Sequence, residues 1–516
     1  MSLETKIEIF FSESMMQKKT QEAVFVSPLP KTPFEFKWHK KRLEVIPQEP
    51  LLKDKTYVVS LGTDATDSHG NSLISPFSFA FSTGDLIDSG FVSGCVYSGK
   101  KVAPGITVSA YLFAQNEPEL PYVLPDYVTQ TDEKGRYELK NLSFGTYRLF
   151  AIDDINKDFL LDLESEQAGI TTSDVELNYQ FFRKENMDFF LSKQDTTKPS
   201  LVECEALNKN LIRVTFDQPI DLQKLVNPKS YLITSGEKPK STLEIKLVYS
   251  LHNQDQNSFL ITDDLDSKTE YELKVTDLTD QSGNEINPEK NKCFFSGTDS
   301  PDTAKLKILA TSPEDKEKIV SLDKKLKIFF EKPPEKTSVE KAFLLKEKDG
   351  IEIKGQYFWV NPVTFVFEPE SILSGETEYE IELKDEVKDL FGNSLDTIPF
   401  EVSFATLNPD TLGSLSGEVM LLSENQDKEI FVTLSKIESP ELDYQKLLEA
   451  PGEFLFDSIL PGKYILSAFV DLDQDQKFDF GKLYPFSPSE PKAIYPDTIS
   501  VRSRWETEGI VIEFKR

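Results

Sequence analysis

Two acidic loops carry the residue types that could hold a metal ion. Each places an oxygen-bearing side chain at positions 1, 3, 5 and 9 of a short stretch. These residues are Asp154, Asn156, Asp158 and Asp162 in the first loop, and Asp471, Asp473, Asp475 and Asp479 in the second. Carboxylate and amide oxygens are hard donors that suit Ca²⁺. The pattern therefore predicts a calcium site in each loop.

The two loops also depart from a complete calcium-binding loop. Position 6, normally Gly, is Phe159 or Gln476, and position 12, normally a bidentate Glu, is Ser165 or Lys482. The alternative is a solvated turn in which Asp and Asn side chains cap the backbone. If calcium binds, we expect weak binding, with a dissociation constant of roughly 10⁻⁴–10⁻³ M, and a role in stiffening the loops.

The loops must be positioned by strands, and the chain repeats its strands. "LETKIEIFF" from Leu3 aligns without a gap with "LDKKLKIFF" from Leu322, and "LNKNLIRVTF" from Leu207 is a looser third copy. All three alternate apolar and polar residues, which is typical of half-buried strands. Each is followed by a strand, an Asp-x-x-Gly-Asn turn and a Phe-containing strand, at 1–85, 199–299 and 304–407.

The residue types of the Asp-x-x-Gly-Asn turns can be explained by the backbone geometry and hydrogen bonds of a turn. Gly70, Gly283 and Gly392 are predicted to take a positive φ. The aspartates three residues upstream, Asp67, Asp280 and Asp389, are predicted to hydrogen-bond the turn backbone. We therefore predict a structural role for these residues, with metal binding as the alternative.

The threefold order of these short motifs resembles the bacterial Ig-like domains of surface-layer type. The resemblance implies three Ig-like β-sandwiches, which we name the first (1–85), second (199–299) and third (304–407) Ig-like segments. Upstream of Leu322 lies "AKLKILATSPEDKEKIVS", whereas only two residues precede Leu3. We therefore expect the first segment to lack its opening strand and the natural precursor to be longer.

The remaining two segments match each other at an offset of 317. "GRYELKNLSFGTYRLFAIDD" (135–154) overlays "GEFLFDSILPGKYILSAFVD" (452–471). Their pattern resembles β-sandwiches of the CnaB, carboxypeptidase-regulatory or transthyretin-like type, here named the early (90–193) and late (413–516) sandwiches. The prediction is an all-β fold, an elongated tandem array of five sandwiches.

Composition and charge argue against several classes of protein, including nucleic-acid-binding and membrane-binding proteins. A net charge of −30 disfavours binding to nucleic acid or to anionic membranes. No apolar run reaches the roughly 18 residues of a membrane helix. Cys95, Cys204 and Cys293 are few and far apart, so we interpret them as buried hydrophobes rather than a disulfide framework.

Nothing in the sequence suggests catalysis. There is no HExxH, GxSxG or P-loop pattern, and His39, His69 and His252 fall in different units or in turns. Trp38 and Trp359 are predicted to pack within their sandwiches, whereas Trp505 is predicted to be exposed.

These patterns favour a non-catalytic structural or interaction protein of the bacterial cell envelope. The resemblance implies an exported chain, similar to outer-membrane lipoproteins of Bacteroidota, with its signal peptide and lipid anchor upstream. Its partner would be an envelope protein. The alternatives are a carbohydrate-binding surface lipoprotein and an enzyme with an unrecognised carboxylate site. No cofactor other than Ca²⁺ is predicted.

Overall fold

The protein is described here by a computed structural model. It covers residues 1–29, 32–113, 123–236, 241–384, 386–421, 426–439, 443–483 and 486–514 of the 516. The chain forms two compact units, one made of 1–194 with 411–516 and the other of 195–410. None of the described helices has the length and apolarity needed to span a membrane.

The first Ig-like segment forms two three-stranded sheets, ordered β1-β4-β3 and β2-β5-β6. Its elements are β1 (Ile7–Phe10), α1 (Gln17–Glu22), β2 (Val24–Ser27), β3 (Glu35–His39), β4 (Arg42–Ile46), β5 (Thr56–Leu61) and β6 (Phe77–Ser82). Alternation in "KIEIFF" turns Ile7 into the core between the sheets, where it packs with Leu43 and Val45.

The early sandwich follows the first Ig-like segment in the chain. Its strands are β7 (Gly90–Ser98), β8 (Lys101–Val102), β9 (Thr107–Phe113), β10 (Tyr127–Gln130), β11 (Arg136–Leu142), β12 (Gly145–Ile152), β13 (Ala168–Ile170), β14 (Val175–Leu177), β15 (Arg183–Lys184) and β16 (Phe189–Leu191).

The second Ig-like segment contains β17 (Leu201–Asn208), β18 (Leu211–Phe216), α2 (Leu222–Leu225), a 3₁₀ turn (Pro228–Ser230), β19 (Tyr231–Ser235), β20 (Ile245–Tyr249), β21 (Asn257–Thr262), β22 (Glu270–Val275) and β23 (Lys292–Ser296). It has one strand more than the first segment, and its sheets are ordered β17-β18-β21-β20 and β19-β22-β23.

The third Ig-like segment has two four-stranded sheets, β24-β26-β29-β28 and β25-β31-β30-β27. Its elements are β24 (Ile308–Ser312), β25 (Glu317–Val320), β26 (Leu326–Phe330), α3 (Lys336–Ala342), β27 (Phe343–Glu347), β28 (Gly355–Asn361), β29 (Thr364–Pro369), β30 (Glu378–Leu383) and β31 (Phe400–Thr406). In this segment β24 pairs with β26, the counterpart of β1, whereas β1 pairs only with β4 among the described residues.

The early and late sandwiches share one topology. The early one has sheets β10-β9-β12-β13 and β11-β7-β15, and the late one has β34-β33-β36-β37 and β35-β32-β39. The late elements, after a 3₁₀ turn (Pro409–Thr411), are β32 (Gly413–Leu421), β33 (Glu429–Lys436), β34 (Asp443–Leu448), β35 (Glu453–Ile459), β36 (Gly462–Asp471), β37 (Lys492–Ile494), β38 (Ile499–Val501) and β39 (Glu506–Phe514). Tyr147 and Tyr464, aligned from the sequence, are both fully buried.

Adjacent sandwiches also share apolar contacts. The third Ig-like segment's core continues onto the outer face of the second segment through Leu211, Tyr249 and Phe259. In the other unit, Leu483 and Phe486 of the late sandwich pack against the early sandwich beside Tyr111 and Phe150. Within each unit, these neighbouring sandwiches therefore contact one another through buried apolar side chains, in addition to the core that each encloses.

The turn motif forms as predicted. Gly70, Gly283 and Gly392 have φ of +94°, +81° and +87°. Asp67, Asp280 and Asp389 accept backbone N–H groups of the following turn from Asn71, Asn284 and Asn393, at 2.9, 2.8 and 2.8 Å. A residue with a Cβ is strained at such φ values, which is why glycine recurs there.

The cysteine prediction was wrong for two of the three residues. Cys204 on β17 and Cys293 on β23 form a disulfide, with Cα atoms 6.1 Å apart and a sequence separation of 89. Only Cys95 is a free thiol, and it is half-buried. Sequence spacing could not reveal the bond, because β17 and β23 come together only when the two sheets of the second Ig-like segment pack.

Candidate functional site

The acidic loops lie at equivalent places in the two sandwiches. The first loop follows β12 and leads to β13, and the second follows β36 and leads to β37. The strand in front of each loop is central in its sheet, so the first aspartate emerges from a buried strand. Asp471 is 0% exposed, and Asp154 is partly buried.

A buried glutamate organises the second loop. Glu490, 4% exposed, accepts the backbone N–H groups of Leu472 and Asp479 at 2.6 and 3.1 Å. Burial raises the pKa of Glu490 to about 7, and the nearby carboxylates of Asp479 and Asp471 add to the rise. A carboxyl group with this pKa changes its protonation state near neutral pH.

The first loop has the same arrangement. Glu166, also buried, accepts the N–H groups of Ile155 and Asp162 at 2.8 and 2.9 Å. Both carboxylate oxygens therefore hold the two ends of the loop together. Since each loop has this glutamate on the same two loop positions, the pair is one structural device present twice.

The predicted ligands of the second loop are brought together only in part. Carboxylate oxygens of Asp471, Asp473 and Glu490 lie within 4.8 Å of one another. Asp471 also accepts the N–H groups of Gln474 and Gln476, at 2.7 and 3.0 Å.

The other two predicted ligands of this loop stay outside that group. Asp475 and Asp479 are exposed. Although Asp479 is exposed as a whole, partial desolvation of its carboxyl group, with the charges of Asp473 and Asp475, raises its pKa. The loop thus combines three close carboxylates with a fourth whose charge is already disfavoured by its neighbours.

The predicted ligands of the first loop are less converged. Asn156, Asp158 and Asp162 are exposed, and each accepts a backbone N–H two residues ahead, from Asp158, Leu160 and Glu164. Asp154 is different, because its Oδ1 is buried and has no hydrogen-bond partner among the described residues. Burial and the neighbouring Glu166 raise the pKa of Asp154.

Sequence reasoning missed Glu490. The signal was present as "SEQAGI" (165–170) and "SEPKAI" (489–494), which share Ser-Glu and a final Ile. Glu166 and Glu490 are 324 residues apart, whereas the matching aspartates of the two loops are 317 apart. The second loop is therefore longer, and an alignment without gaps does not place the two glutamates opposite each other.

Both loops contact a neighbouring sandwich. Phe159 of the first loop packs edge-on against Phe25 of the first Ig-like segment, with ring centroids 5.3 Å apart, and Lys157 pairs with Asp64 at 2.8 Å. The segment that continues the second loop places Phe486 under the guanidinium of Arg148 in the early sandwich, 3.5 Å from the ring centroid. A ligand that fixed either loop would therefore also fix a contact between sandwiches.

The tryptophans follow the prediction. Trp38 and Trp359 are partly buried against their own cores, and Trp359 donates its indole N–H to Glu340 at 3.0 Å. Trp505 is 68% exposed at the turn before β39. The equivalent turn of the early sandwich exposes Phe181 and Phe182, so both sandwiches present aromatic rings at the same tip.

Comparison with known proteins assigns part of the chain. Residues 1–83 and 302–406 match the bacterial Ig-like domain family. Both stretches lie in β-sandwich segments similar to that family, and together they cover less than half of the chain. A comparison with curated proteins gave no match.

Some solved structures show weak similarity to this chain. The N-terminal part of the bacterial S-layer protein SbsC is 16% identical over 41% of this chain and 45% of its own, with a TM-score of 0.19. The major pilin subunit of Bacillus cereus is 11% identical over 83% of this chain and 100% of its own, with a TM-score of 0.15. An L,D-transpeptidase from Mycobacterium smegmatis is 8% identical over 41% and 90%, with a TM-score of 0.18. The chain spans less than half the length of the S-layer structure.

Proposed function

We propose that this multidomain Ig-like protein is a non-catalytic structural or interaction protein of the bacterial cell envelope. We further propose that it is exported as an outer-membrane lipoprotein and docks other envelope proteins. The Cys204–Cys293 disulfide carries the part of the proposal that concerns export. Disulfides persist in oxidising compartments and are rare in the reducing cytosol, so the bond supports export. The five sandwiches, with the limits predicted above, would act as spacers whose end loops and sheet edges receive partners.

Localisation tests the first part of this proposal. In the native bacterium, the chain should fractionate with the envelope, incorporate a clickable fatty acid and be cleaved by protease added to intact cells. Thiol labelling of the isolated chain should find Cys204 and Cys293 oxidised. A cytosolic chain with both thiols free would contradict the proposal.

Carbohydrate binding is the second candidate, and the aromatic tips favour it. Trp505 and Phe181 are each 68% exposed, and aromatic rings presented to solvent can stack on sugar rings. Two equivalent tips on one chain would suit a polymer with repeated units. Affinity electrophoresis in envelope polysaccharide should show retardation that Trp505→Ala reduces. Phe294→Ala is the matched control, since Phe294 is 71% exposed on a different sandwich.

Calcium binding to the two loops is proposed as a supporting property. The close carboxylates of Asp471, Asp473 and Glu490 and the buried, unpartnered Oδ1 of Asp154 support it. Bound calcium would stiffen the loops and, through them, the contacts between sandwiches.

Thermal melts with calcium and with chelator test this property. A ligand that binds only the folded state adds RT ln(1 + [L]/Kd) to the free energy of unfolding, so millimolar calcium should raise the melting midpoint, and Glu490→Gln should reduce the rise. Asp457→Asn, which removes an exposed carboxylate on a strand away from the loops, should leave the rise unchanged. Identical melts in calcium and chelator would refute calcium binding.

A further inference from the structure

The turn aspartates of the three Ig-like segments each face the short stretch that follows β1, β18 or β26, and the residue there differs. An isolated bridge links this stretch to the turn in every copy: Met15 to Asp67, Ile220 to Asp280 and Pro334 to Asp389. Two residues before the bridging residue, the copies carry Glu13, Gln218 and Lys332. One position of the fold therefore holds an acid, an amide and an amine in the three segments.

In two copies this position supplies a donor to the aspartate. Lys332, 5% exposed, lies 2.6 Å from Asp389 and 2.8 Å from Asp302, so an ammonium group compensates the buried carboxylates. Although burial opposes ionisation, Lys332 and Asn393 lower the pKa of Asp389. Gln218 donates its amide N–H to Asp280 at 2.9 Å. The fold thus places positive or donor character beside the turn aspartate.

The first Ig-like segment breaks this rule. Glu13 puts a carboxyl group where the other copies have an amide or an amine, and it thereby brings a second acidic side chain to Asp67, which is only 8% exposed. The same turn also carries His69, where the other copies have Ser282 and Phe391. The imidazole Nδ1 lies 3.8 Å from Glu13 Oε2 and 3.9 Å from Asp67 Oδ2.

We infer that the first Ig-like segment binds a divalent transition-metal ion of the zinc class at Glu13, Asp67 and His69, in the place that the Lys332 ammonium takes in the third segment. The three ligand atoms lie within 4.8 Å of one another. An imidazole nitrogen with two carboxylate oxygens is a donor set that suits zinc, whereas calcium takes oxygen donors. The metal supplies beside Asp67 the positive charge that Lys332 supplies beside Asp389.

The geometry needs only a small closure. Zinc ligands at about 2.0–2.2 Å lie about 3.4 Å apart in a tetrahedral site, so the imidazole must approach each carboxylate by about half an ångström. His69 and Glu13 are exposed and can move. Asp67 is fixed, because it accepts N–H groups from His69 and Asn71 at 2.8 and 2.9 Å. A water would fill the fourth position.

Zinc titration of the full chain tests the inference. Zinc chloride is added in millimolar calcium, which occupies sites built of oxygen alone, to a chain with labelled histidines. Zinc should shift the imidazole signals of His69 before those of His39 and His252. His69→Ala and Glu13→Lys should each weaken the tightest zinc affinity at least tenfold. His39→Ala is the matched control, since His39 is an exposed imidazole 3.5 Å from Glu44, and it should leave that affinity unchanged.

Glu13→Lys separates loss of the site from loss of the fold. It recreates the Lys332–Asp389 pair of the third segment, so the variant should melt no lower than the parent in chelator while losing zinc binding. Parental zinc affinity in either His69→Ala or Glu13→Lys would overturn the inference, as would zinc shifts of equal size at all three histidines.

Discussion

The disulfide of the second Ig-like segment gives the most quantitative prediction. Replacing Cys204 and Cys293 with alanine removes a crosslink between residues 89 apart. A crosslink of this span lowers the entropy of the unfolded chain by an amount worth about 4–5 kcal/mol at 25 °C in the chain-entropy model. Since each 1.4 kcal/mol is a factor of ten, the population of open forms should rise up to about 10³-fold.

Hydrogen exchange read by mass spectrometry measures this effect segment by segment. Peptides covering β18 and β21, the central strands of the crosslinked sandwich, should lose protection in the double variant. Peptides covering β4 and β5 of the first Ig-like segment should not change, because they belong to the other compact unit. Cys95→Ala is the control variant, since it removes the only free thiol without touching the bond.

A thiol count provides an independent check. The denatured parent should titrate one thiol without reductant and three after reduction. Unchanged exchange in β18 and β21 peptides of the double variant would refute the reasoning, and so would three free thiols in the unreduced parent.

Three further predictions concern single residues. Lys332→Ala leaves Asp389 and Asp302 buried without their cation. Calorimetry should show the third Ig-like segment destabilised by about 3–5 kcal/mol. An unchanged melting transition of this segment would contradict the argument from the buried ion pair. Gly392→Ala should cost about 1 kcal/mol in the same measurement, because φ at this turn is +87°; equal stability would show that the turn relaxes. For Glu490, the folded pKa of about 7 lies above the ordinary 4.5, so between these values the folded state holds a proton that the unfolded state releases. In chelator, the melting midpoint should therefore fall as the pH rises from 5 to 7. Glu490→Gln should lack this fall, and parallel pH profiles of the parent and the variant would exclude the pKa shift.

Much of the fold could be predicted because its signals are local. Alternating apolar residues in "KIEIFF" and "KLKIFF" define strands, and β1 and β26 form there. The Asp-x-x-Gly-Asn turns are equally local, since the aspartate bonds a backbone only a few residues away. The exposure of Trp505 follows in the same way from its place in a polar turn.

The candidate sites were predicted less completely because their parts are distant in sequence. The aspartates of the second loop were found from their spacing, but Glu490 reaches them across an insertion. The proposed zinc-class site needs Glu13 and His69, which meet only when the stretch after β1 bridges to the turn. Asp475 and Asp479 have the predicted residue type, yet the backbone does not bring them into the close group.

The sequence by itself determined that this chain is a repeated all-β protein with two kinds of unit, because strand alternation and turn chemistry are properties of neighbouring residues. Only the tertiary structure decided which distant side chains meet: Cys204 with Cys293, Lys332 with Asp302 and Asp389, and Phe486 with Arg148. Such pairings depend on how sheets and sandwiches pack, and the free energy of that packing is spread over many apolar contacts that no short stretch of sequence contains.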